Sequence, residues 1–274
     1  GSHGQTIRHR PNIEHPFTIQ IGDPHIIASK TNITTVADFR RKNIANNGQG
    51  APLAPAFHEF LLKNLDSPQA VLNIGGMANL TFLGPGQETV GHDTGPGNVL
   101  LDIWCQIHTS SHYDNNGDWA RSGSIDNSLL KQMLNDPYFN QPAPKSTGRE
   151  HFNQSWLSHK LENTPAQSPE NIQATLTELT ATSITDSINN HKTKPTTLWV
   201  TGGGAHNNNL LDRIQLGCPQ LTIKNIEQLG IPADWLEACA FAWLAKQTLD
   251  KKTVSLSHVT GATQDDILGG VFFK

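Results

Sequence analysis

The carboxylate of Asp93 is the clearest candidate for chemistry in this chain. It lies in the stretch 91–98, where three glycines and a proline remove side-chain bulk and constrain the backbone. Small residues let backbone N–H groups approach phosphate oxygens, and a carboxylate beside them can act as a general base or a metal ligand. The stretch therefore predicts a loop around Asp93 and favours a functional role over a tight structural turn.

Two further loops of small residues follow predicted strands. The apolar run 70–74 ends at Gly75-Gly76, and residues 80–83 can return from it as a hairpin. The run 198–201 ends at three glycines, 202–204, before a helix-like stretch. Its N–H groups and the helix N-terminus could face a ribose or phosphate. Three such loops favour a nucleotide site over close strand–helix packing alone.

A charged cluster at residues 38–41 precedes the glycine-rich stretch 48–52. An arginine beside such a loop can hold a carboxylate or phosphate with two hydrogen bonds. An Asp–Arg cluster can equally form a structural ion pair, and the sequence leaves both interpretations open. The polar stretch 145–150 could likewise face a substrate or cap the next helix.

The elements that must position these residues alternate between strands and helices from about residue 70 to 250. This order favours an α/β architecture with helices covering a mixed sheet. Ser168-Pro169-Glu170 predicts a helix start, and apolar residues recur behind it near every 3.6 positions. Residues 236–245 are apolar almost all round, which predicts a helix buried between two layers.

Composition narrows the functional classes. The 274 residues suffice for two domains, and 24 acidic against 20 basic residues give a net charge of -4. No basic run that would follow a nucleic-acid backbone is present. No apolar run approaches the roughly 18–20 residues that span a bilayer. The three cysteines form no Cys-x-x-Cys pair, which is typical of reduced thiols in a cytoplasmic protein. A Walker A loop and a Gly-x-Gly-x-x-Gly fingerprint are also absent.

A set of segments, in order over essentially the whole chain, resembles the anhydro-N-acetylmuramic acid kinases. Any one of them alone would be unspecific, whereas the set is specific. The segments are Gly1–Thr6, Gln20–Asp23, Asp38–Arg41, Gly48–Pro52, Pro55–His58, Leu72–Gly76, Asp93–Asn98, Pro144–Glu150, Gly202–Asn207 and Trp235–Glu237.

The resemblance implies the two-domain actin/hexokinase/Hsp70-like architecture, with RNase H-like domains and ATP in the inter-domain cleft. Residues 1–69 are then expected to be the remainder of the first domain, on the sugar-site side. Residues 70–250 would form the second, ATP-binding domain, and 251–274 would return towards the first. The first domain is expected to be N-terminally truncated, because family members begin with a further segment carrying Gly-Thr-Ser-x-Asp-Gly, the first phosphate-binding hairpin.

The resemblance also implies an activity. Family members open 1,6-anhydro-N-acetylmuramic acid with water and phosphorylate its O6 from Mg-ATP, giving N-acetylmuramic acid 6-phosphate. They are cytoplasmic enzymes of peptidoglycan recycling and homodimers. We therefore expect ATP and Mg²⁺ as cofactors, the anhydro sugar and ATP as small-molecule partners, and neither nucleic acid nor membrane as a partner.

Site residues carry over by position. Asp93 matches the catalytic base that takes a proton from the attacking water. The residues matching the sugar site are Ser2, Gln5, Thr6, Arg40 and Glu237. The residues matching the ATP site are Gly75, Gly76 and Asn79 in the second phosphate hairpin, Gly95, Gly97 and Asn98 after Asp93, and Gly202, Gly203, Gly204 and Asn207 in the adenosine motif. No residue is matched to a metal.

Two alternatives remain beside the kinase. Without the first phosphate hairpin, this chain could be a catalytically impaired fragment or a non-catalytic sugar- or nucleotide-binding protein of the same fold. Retention of Asp93 disfavours a pure binding protein, which would not need the base. A different actin-like ATPase with another acceptor is disfavoured by the full set of segments.

Overall fold

The strands and helices of the chain group into two units. The computed structural model describes residues 1–62, 66–162, 164–232 and 235–274. The first unit comprises Gly1–Asn64, Gly86–Gly91 and Ile231–Lys274, and the second comprises Leu65–Pro85 and His92–Gly230. Both units combine strands and helices, which confirms the predicted α/β class.

The strands and helices are distributed as follows. The strands are β1 (Gln5–Arg10), β2 (Phe17–Ile21), β3 (Thr35–Ala37), β4 (Gln69–Ile74), β5 (Met77–Leu83), β6 (Val90–Pro96), β7 (Thr197–Thr201), β8 (Thr222–Asn225) and β9 (Gly270–Phe272). The helices are α1 (Pro24–Thr31), α2 (Arg41–Ala45), α3 (Ala54–Leu61), α4 (Val99–Thr109), α5 (Asp118–Ser122), α6 (Asn127–Leu134), α7 (Gln154–Leu161), α8 (Pro169–Asn190), α9 (Asn208–Gly217), α10 (Leu236–Leu249) and α11 (Ser257–Thr260).

The second unit is built on a five-stranded sheet of order β6-β5-β4-β7-β8. The hairpin predicted at Gly75-Gly76 joins β4 and β5 as antiparallel neighbours, while β4, β7 and β8 run parallel. On one side of β4 the sheet continues with the next two strands in sequence, β5 and β6. On the other side it continues with the parallel strands β7 and β8, as in the RNase H-like domain that the resemblance implies. The middle of β4 is buried on both faces, as expected of a strand covered by helices on both sides.

Helix α8 is the main support beneath this sheet. It begins at Pro169 behind Ser168, as predicted, and packs against α4, α5, α6 and α9. Leu176 and Leu179 join the apolar core that α4 and α6 also line. This packing holds the segment after β6, which carries the candidate site.

The first unit has two antiparallel pairs, β1–β2 and β3–β9. Its core gathers Phe39, Phe241, Leu244 and Leu256 beneath β3. Helix α10 contacts α3, β3 and β9. Residues 236–249 therefore group with the first unit, whereas the resemblance implied that 70–250 form the second domain.

Two local predictions were wrong. Asp93 lies inside β6 and not in a loop, because pairing beside β5 outweighs the weak strand propensity of its glycines. Helix α10 buries only one face, and Ala238 and Ala242 on the other face are exposed. Alanines made the helix look apolar all round, although they bury little surface. Glu237 is therefore exposed and needs no buried partner.

Within residues 1–62, 66–162, 164–232 and 235–274, no helix has both the length and the apolar character needed to cross a bilayer.

Candidate active site

The three small-residue loops of the second unit meet beside the β4–β5 turn. Backbone N–H groups of Gly97 and Asn98 donate to Gly76 O at 2.9 Å and Gly75 O at 2.8 Å. Gly202 has a φ of +80°, and a Cβ built on it would lie 2.5 Å from Asn73 Oδ1. Only glycine fits at such a close approach. The convergence predicted from the sequence is therefore present in the fold.

Asn98 connects these loops through its side chain. Its Nδ2 donates to Ile74 O at 3.1 Å. A Cβ built on Gly204 would lie 3.1 Å from Asn98 Oδ1 and would overlap the side chain of Ile74. The hairpin, the segment after β6 and the glycine loop after β7 thus share one polar residue.

A pocket of about 540 Å³ opens beside this junction. Pockets of a few hundred to about 1,000 Å³ are typical of small-molecule sites. Four predicted ATP-binding residues line it, and these are Asn98, Gly203, Gly204 and Asn207. Asn207 Oδ1 also caps α9 by accepting from Leu210 N at 3.0 Å, so this oxygen is committed to the helix.

The other predicted ATP-binding residues support the junction or lie behind it. Gly75, Gly76, Gly97 and Gly202 form the close backbone contacts described above. Asn79 pairs with Asn73 in the β4–β5 ladder. A Cβ on Gly95 would lie 2.8 Å from Phe139 Cε1, so Gly95 makes room for that ring.

Asp93 is fixed by three hydrogen bonds to one stretch of chain. Its Oδ2 accepts from Thr147 N at 3.0 Å, its backbone N donates to Lys145 O at 3.0 Å, and its backbone O accepts from Tyr138 Oη at 2.8 Å. In the described part of the chain no donor contacts Oδ1. One carboxylate oxygen is thus anchored, and the other is available to a water molecule.

The environment of Asp93 favours proton uptake. Burial raises the pKa of its carboxyl to about 6, the Thr147 N–H opposes this rise, and the charge of Glu150 adds to it. Such a value is suited to a group that must accept a proton near neutral pH. Burial also raises the pKa of Tyr138, so its hydroxyl remains a donor.

Several residues of the pocket were not predicted from the sequence. Asp102, Tyr113, Asn116 and His206 line it as well. Burial raises the pKa of Asp102 to about 6, and the charge of Arg149 opposes that rise. One signal was available for Asp102, because it lies four positions after Asn98 and therefore on the same face of α4. Tyr113 and Asn116 come from a loop that no local pattern connects to the site.

In the first unit, a second polar cluster surrounds Arg40, one of the predicted sugar-site residues. Its Nε donates to His3 Nε2 at 2.8 Å and its Nη1 to Gly50 O at 2.7 Å. Burial lowers the pKa of Arg40 to about 10, and the charge of Glu237 opposes this. Of the two interpretations left open, Arg41 forms the ion pair with Asp38, whereas Arg40 faces the glycine-rich stretch.

The remaining predicted sugar-site residues lie on the polypeptide next to His3. Ser2 donates its N–H to Val36 O at 2.8 Å, which ties it to β3. Gln5 and Thr6 begin β1, and Thr6 Oγ1 accepts from Gln20 Nε2 at 3.1 Å. His3 was not predicted, although it stands between two predicted residues.

Comparisons with known proteins agree along the whole chain. A family model described as anhydro-N-acetylmuramic acid kinase matches residues 1–274. A protein of that name from Coxiella burnetii (strain Dugway 5J108-111) is 54% identical over 275 residues, covering 100% of this chain and 74% of that protein. One from Pasteurella multocida (strain Pm70) is 49% identical over 275 residues, covering 100% and 73%. One from Xylella fastidiosa (strain Temecula1 / ATCC 700964) is 50% identical over 271 residues, covering 99% and 71%.

Solved structures give distant matches. The activator of the 2-hydroxyisocaproyl-CoA dehydratase from Clostridium difficile with bound ADPNP is 15% identical, with a TM-score of 0.43, covering 72% of this chain and 67% of that one. A ligand-bound xylulose kinase from Lactobacillus acidophilus is 15% identical, with a TM-score of 0.40, covering 81% and 45%.

Proposed function

The chain belongs to the anhydro-N-acetylmuramic acid kinase family, and on that premise we propose that it is an ATP-dependent kinase acting on 1,6-anhydro-N-acetylmuramic acid. The reaction opens the anhydro ring with water and phosphorylates O6, and the product is N-acetylmuramic acid 6-phosphate. The observation that carries the proposal is the anchored Asp93 carboxylate, with its raised pKa, on the strand that leads into the glycine junction.

In the first half of the reaction, Asp93 acts as the general base. A water molecule hydrogen-bonded to Oδ1 attacks the anomeric carbon while its proton passes to the carboxylate. The bond between that carbon and the bridging oxygen breaks, and its electron pair stays on the oxygen, which becomes O6. The Thr147 N–H orients the carboxylate, since a base must lie within hydrogen-bond reach of the proton it takes.

In the second half, O6 attacks the γ-phosphorus of ATP and ADP leaves. Phosphoryl transfer depends on positioning and charge stabilisation more than on covalent chemistry of the protein. We assign the 540 Å³ pocket to the adenosine part of ATP and the Gly75-Gly76 hairpin to its phosphates. This assignment is supported by the four predicted residues that line the pocket.

Mg²⁺ is proposed to arrive with ATP. Among the residues that the structure describes, no group of three or more His, Cys, Asp or Glu side chains could hold a metal. Mg²⁺ in kinases is held largely by phosphate oxygens and water, so a full protein shell is not needed. When bound, the ion would neutralise phosphate charge during transfer.

The sugar is proposed to bind through the cluster around Arg40. A buried guanidinium can hold a carboxylate with two hydrogen bonds, and the lactyl group of the muramic acid supplies one. Glu237, Ser2, Gln5 and Thr6 are proposed to contact the remaining polar groups of the sugar. Peptidoglycan recycling, a cytoplasmic location and a homodimeric state are proposed on the family relationship alone.

The decisive experiment compares Asp93→Asn with the wild-type chain. Product is measured by mass spectrometry after incubation with Mg-ATP and the anhydro sugar, and sugar affinity is measured by calorimetry. We expect the variant to form no product while its sugar affinity changes less than about threefold. Asp212→Asn, which affects only an exposed ion pair with Arg121, is the control and should keep full activity. Unchanged turnover by Asp93→Asn would exclude Asp93 as the base. A wild-type chain that binds both substrates without turnover would favour the non-catalytic alternative.

A further inference from the structure

Arg149 lies against the turn that the phosphates of ATP are proposed to occupy. A Cβ built on Gly76 would be 3.6 Å from Arg149 Nη2 and 3.7 Å from its Nε. The guanidinium therefore lies close to the hairpin, beside the residue whose missing side chain leaves space. Arg149 is exposed, so this side of the guanidinium group remains accessible to a ligand.

The backbone around Arg149 is pinned on both sides. On one side, Thr147 N holds the carboxylate of Asp93 and Lys145 O accepts from its N–H. On the other side, Asn153 donates from Nδ2 to Arg149 O at 3.1 Å and caps α7 by accepting from Trp156 N. One short stretch of chain thus fixes the candidate base and places a cation on the hairpin.

The described residues offer the Arg149 guanidinium no competing hydrogen-bond acceptor or ion-pair partner. Within the described part of the chain, it forms no hydrogen bond and no ion pair. Its charge acts on Asp102, which lines the 540 Å³ pocket. The neighbouring cation Lys145, in contrast, donates to the carbonyl oxygens of Tyr138 and Phe139 at 3.2 Å each. Arg149 is therefore the uncommitted cation of this stretch.

We propose that Arg149 binds the non-bridging oxygens of the γ-phosphoryl group of ATP and stabilises the charge that develops on them during transfer. The inference rests on the proposed kinase activity. We assign Arg149 to the γ-phosphoryl group, and not to the α- or β-phosphate, because of its position next to Thr147. Thr147 holds the proposed base and lies two residues before Arg149, so both residues belong to the reacting end of the site. An arginine fork matches two phosphate oxygens at once, which an ammonium does not.

The kinetic test uses Arg149→Gln, Arg149→Lys and Arg149→Ala in the full chain. We expect kcat to fall about 100- to 1,000-fold in the Gln and Ala variants, as for loss of one transition-state donor. KM for the sugar should change less than about threefold, and Arg149→Lys should recover only part of the rate. Free guanidinium at millimolar concentration should partly restore the Ala variant, which a merely structural role would not allow.

The binding test uses calorimetry to compare the affinity for ADP with the affinity for the β,γ-imido analogue of ATP. Arg149→Gln should weaken the analogue at least tenfold and leave ADP within about twofold, because only the analogue carries a γ-phosphoryl group. Arg121→Gln is the matched control, since Arg121 belongs to the same unit and, among the residues that the structure describes, forms an ion pair only with exposed Asp212. It should alter neither rate nor affinity.

The outcomes separate this inference from the proposed function. A normal kcat in the Arg149 variants, or an equal loss of affinity for ADP and for the triphosphate analogue, would overturn the role of Arg149. Neither result would contradict the proposed kinase activity. If the wild-type chain turns over no sugar, the proposed activity fails, and the nucleotide comparison still decides the role of Arg149. Binding of neither nucleotide to the wild-type chain would overturn both.

Discussion

At the scale of single residues, the pKa of Asp93 predicts how turnover depends on pH. The carboxyl must be ionised to act as a base, and burial raises its pKa to about 6. We therefore expect kcat/KM to be level above about pH 7 and to fall towards tenfold per unit below about pH 6. Initial rates from pH 5 to 9 check this, with ADP affinity over the same range as the control. A profile that stays level to pH 5 would contradict the assignment.

The same residue predicts an effect on stability. The folded state binds the Asp93 proton more tightly than the unfolded chain does. Between pH 3.8 and about 6 the unfolded chain therefore loses this proton first, which lowers the free energy of unfolding as pH rises. Above about pH 6 both states are ionised, and the free energy of unfolding stays at this lower level. Asp93→Asn removes this charge. It should raise the free energy of unfolding at pH 7.5 by about 1 to 2 kcal/mol, allowing for partial exposure, although it removes activity. Urea unfolding measures the change.

Asp136 provides a control, because its substitution should change the free energy of unfolding in the opposite direction. Burial acts to raise the pKa of its carboxyl, but hydrogen bonds from Trp156, the Tyr138 N–H and His151 outweigh burial and lower it. Its stabilising contribution is present above the ordinary Asp value and is lost as pH falls through the lowered pKa. Asp136→Asn should therefore destabilise the protein at pH 7.5. Equal signs for the two variants would contradict the electrostatic account.

At the scale of elements, Thr180 ties α8 to the end of β6, the strand that carries Asp93. Its buried Oγ1 lies 3.1 Å from both Pro96 O and Gly97 O. Thr180→Val leaves these carbonyl oxygens without the hydroxyl, and we expect a loss of about 1 to 2 kcal/mol in the free energy of unfolding. Thr177→Val is the matched control, because in the described part of the chain the buried Thr177 hydroxyl donates only to Gln173 O of its own helix. Equal losses would show that Thr180 does not support β6.

The sequence predicted most helices and strands, but not all of the contacts between segments that lie far apart in the chain. The β4–β5 hairpin and the start of α8 depend on local patterns, namely alternation, two glycines and a Ser-Pro-Glu start, and both are confirmed. The strand character of Asp93 depends on β5, a partner that the stretch itself does not reveal. The proximity of Arg149 to Gly76 brings together segments far apart in sequence, so no local spacing pattern predicts it. The proposed roles of the site residues stay predictions until the variants are measured.

At the scale of the whole molecule, the two units differ in how they are assembled. The second unit consists of two segments that include the five-stranded sheet and α8, while the first consists of three segments. We therefore predict that a fragment of residues 66–230 folds alone and binds ADP, because it contains its complete core. Circular dichroism melting and calorimetry test this. A fragment that melts without cooperativity would show that its stability depends on the rest of the chain.

The three-segment assembly of the first unit has a mechanical consequence. Residues 1 and 274 both belong to it, and β3 pairs antiparallel with β9 so that Thr35 faces Phe272. Thr35 and Phe272 are the residues of the two strands that lie nearer the chain ends. If the chain is pulled apart at residues 1 and 274, the force is therefore applied at the same end of the β3–β9 pair. Such loading unzips the ladder one pair at a time instead of shearing all its hydrogen bonds together. The first unit should therefore open at low force, and the second unit should bear tension only afterwards.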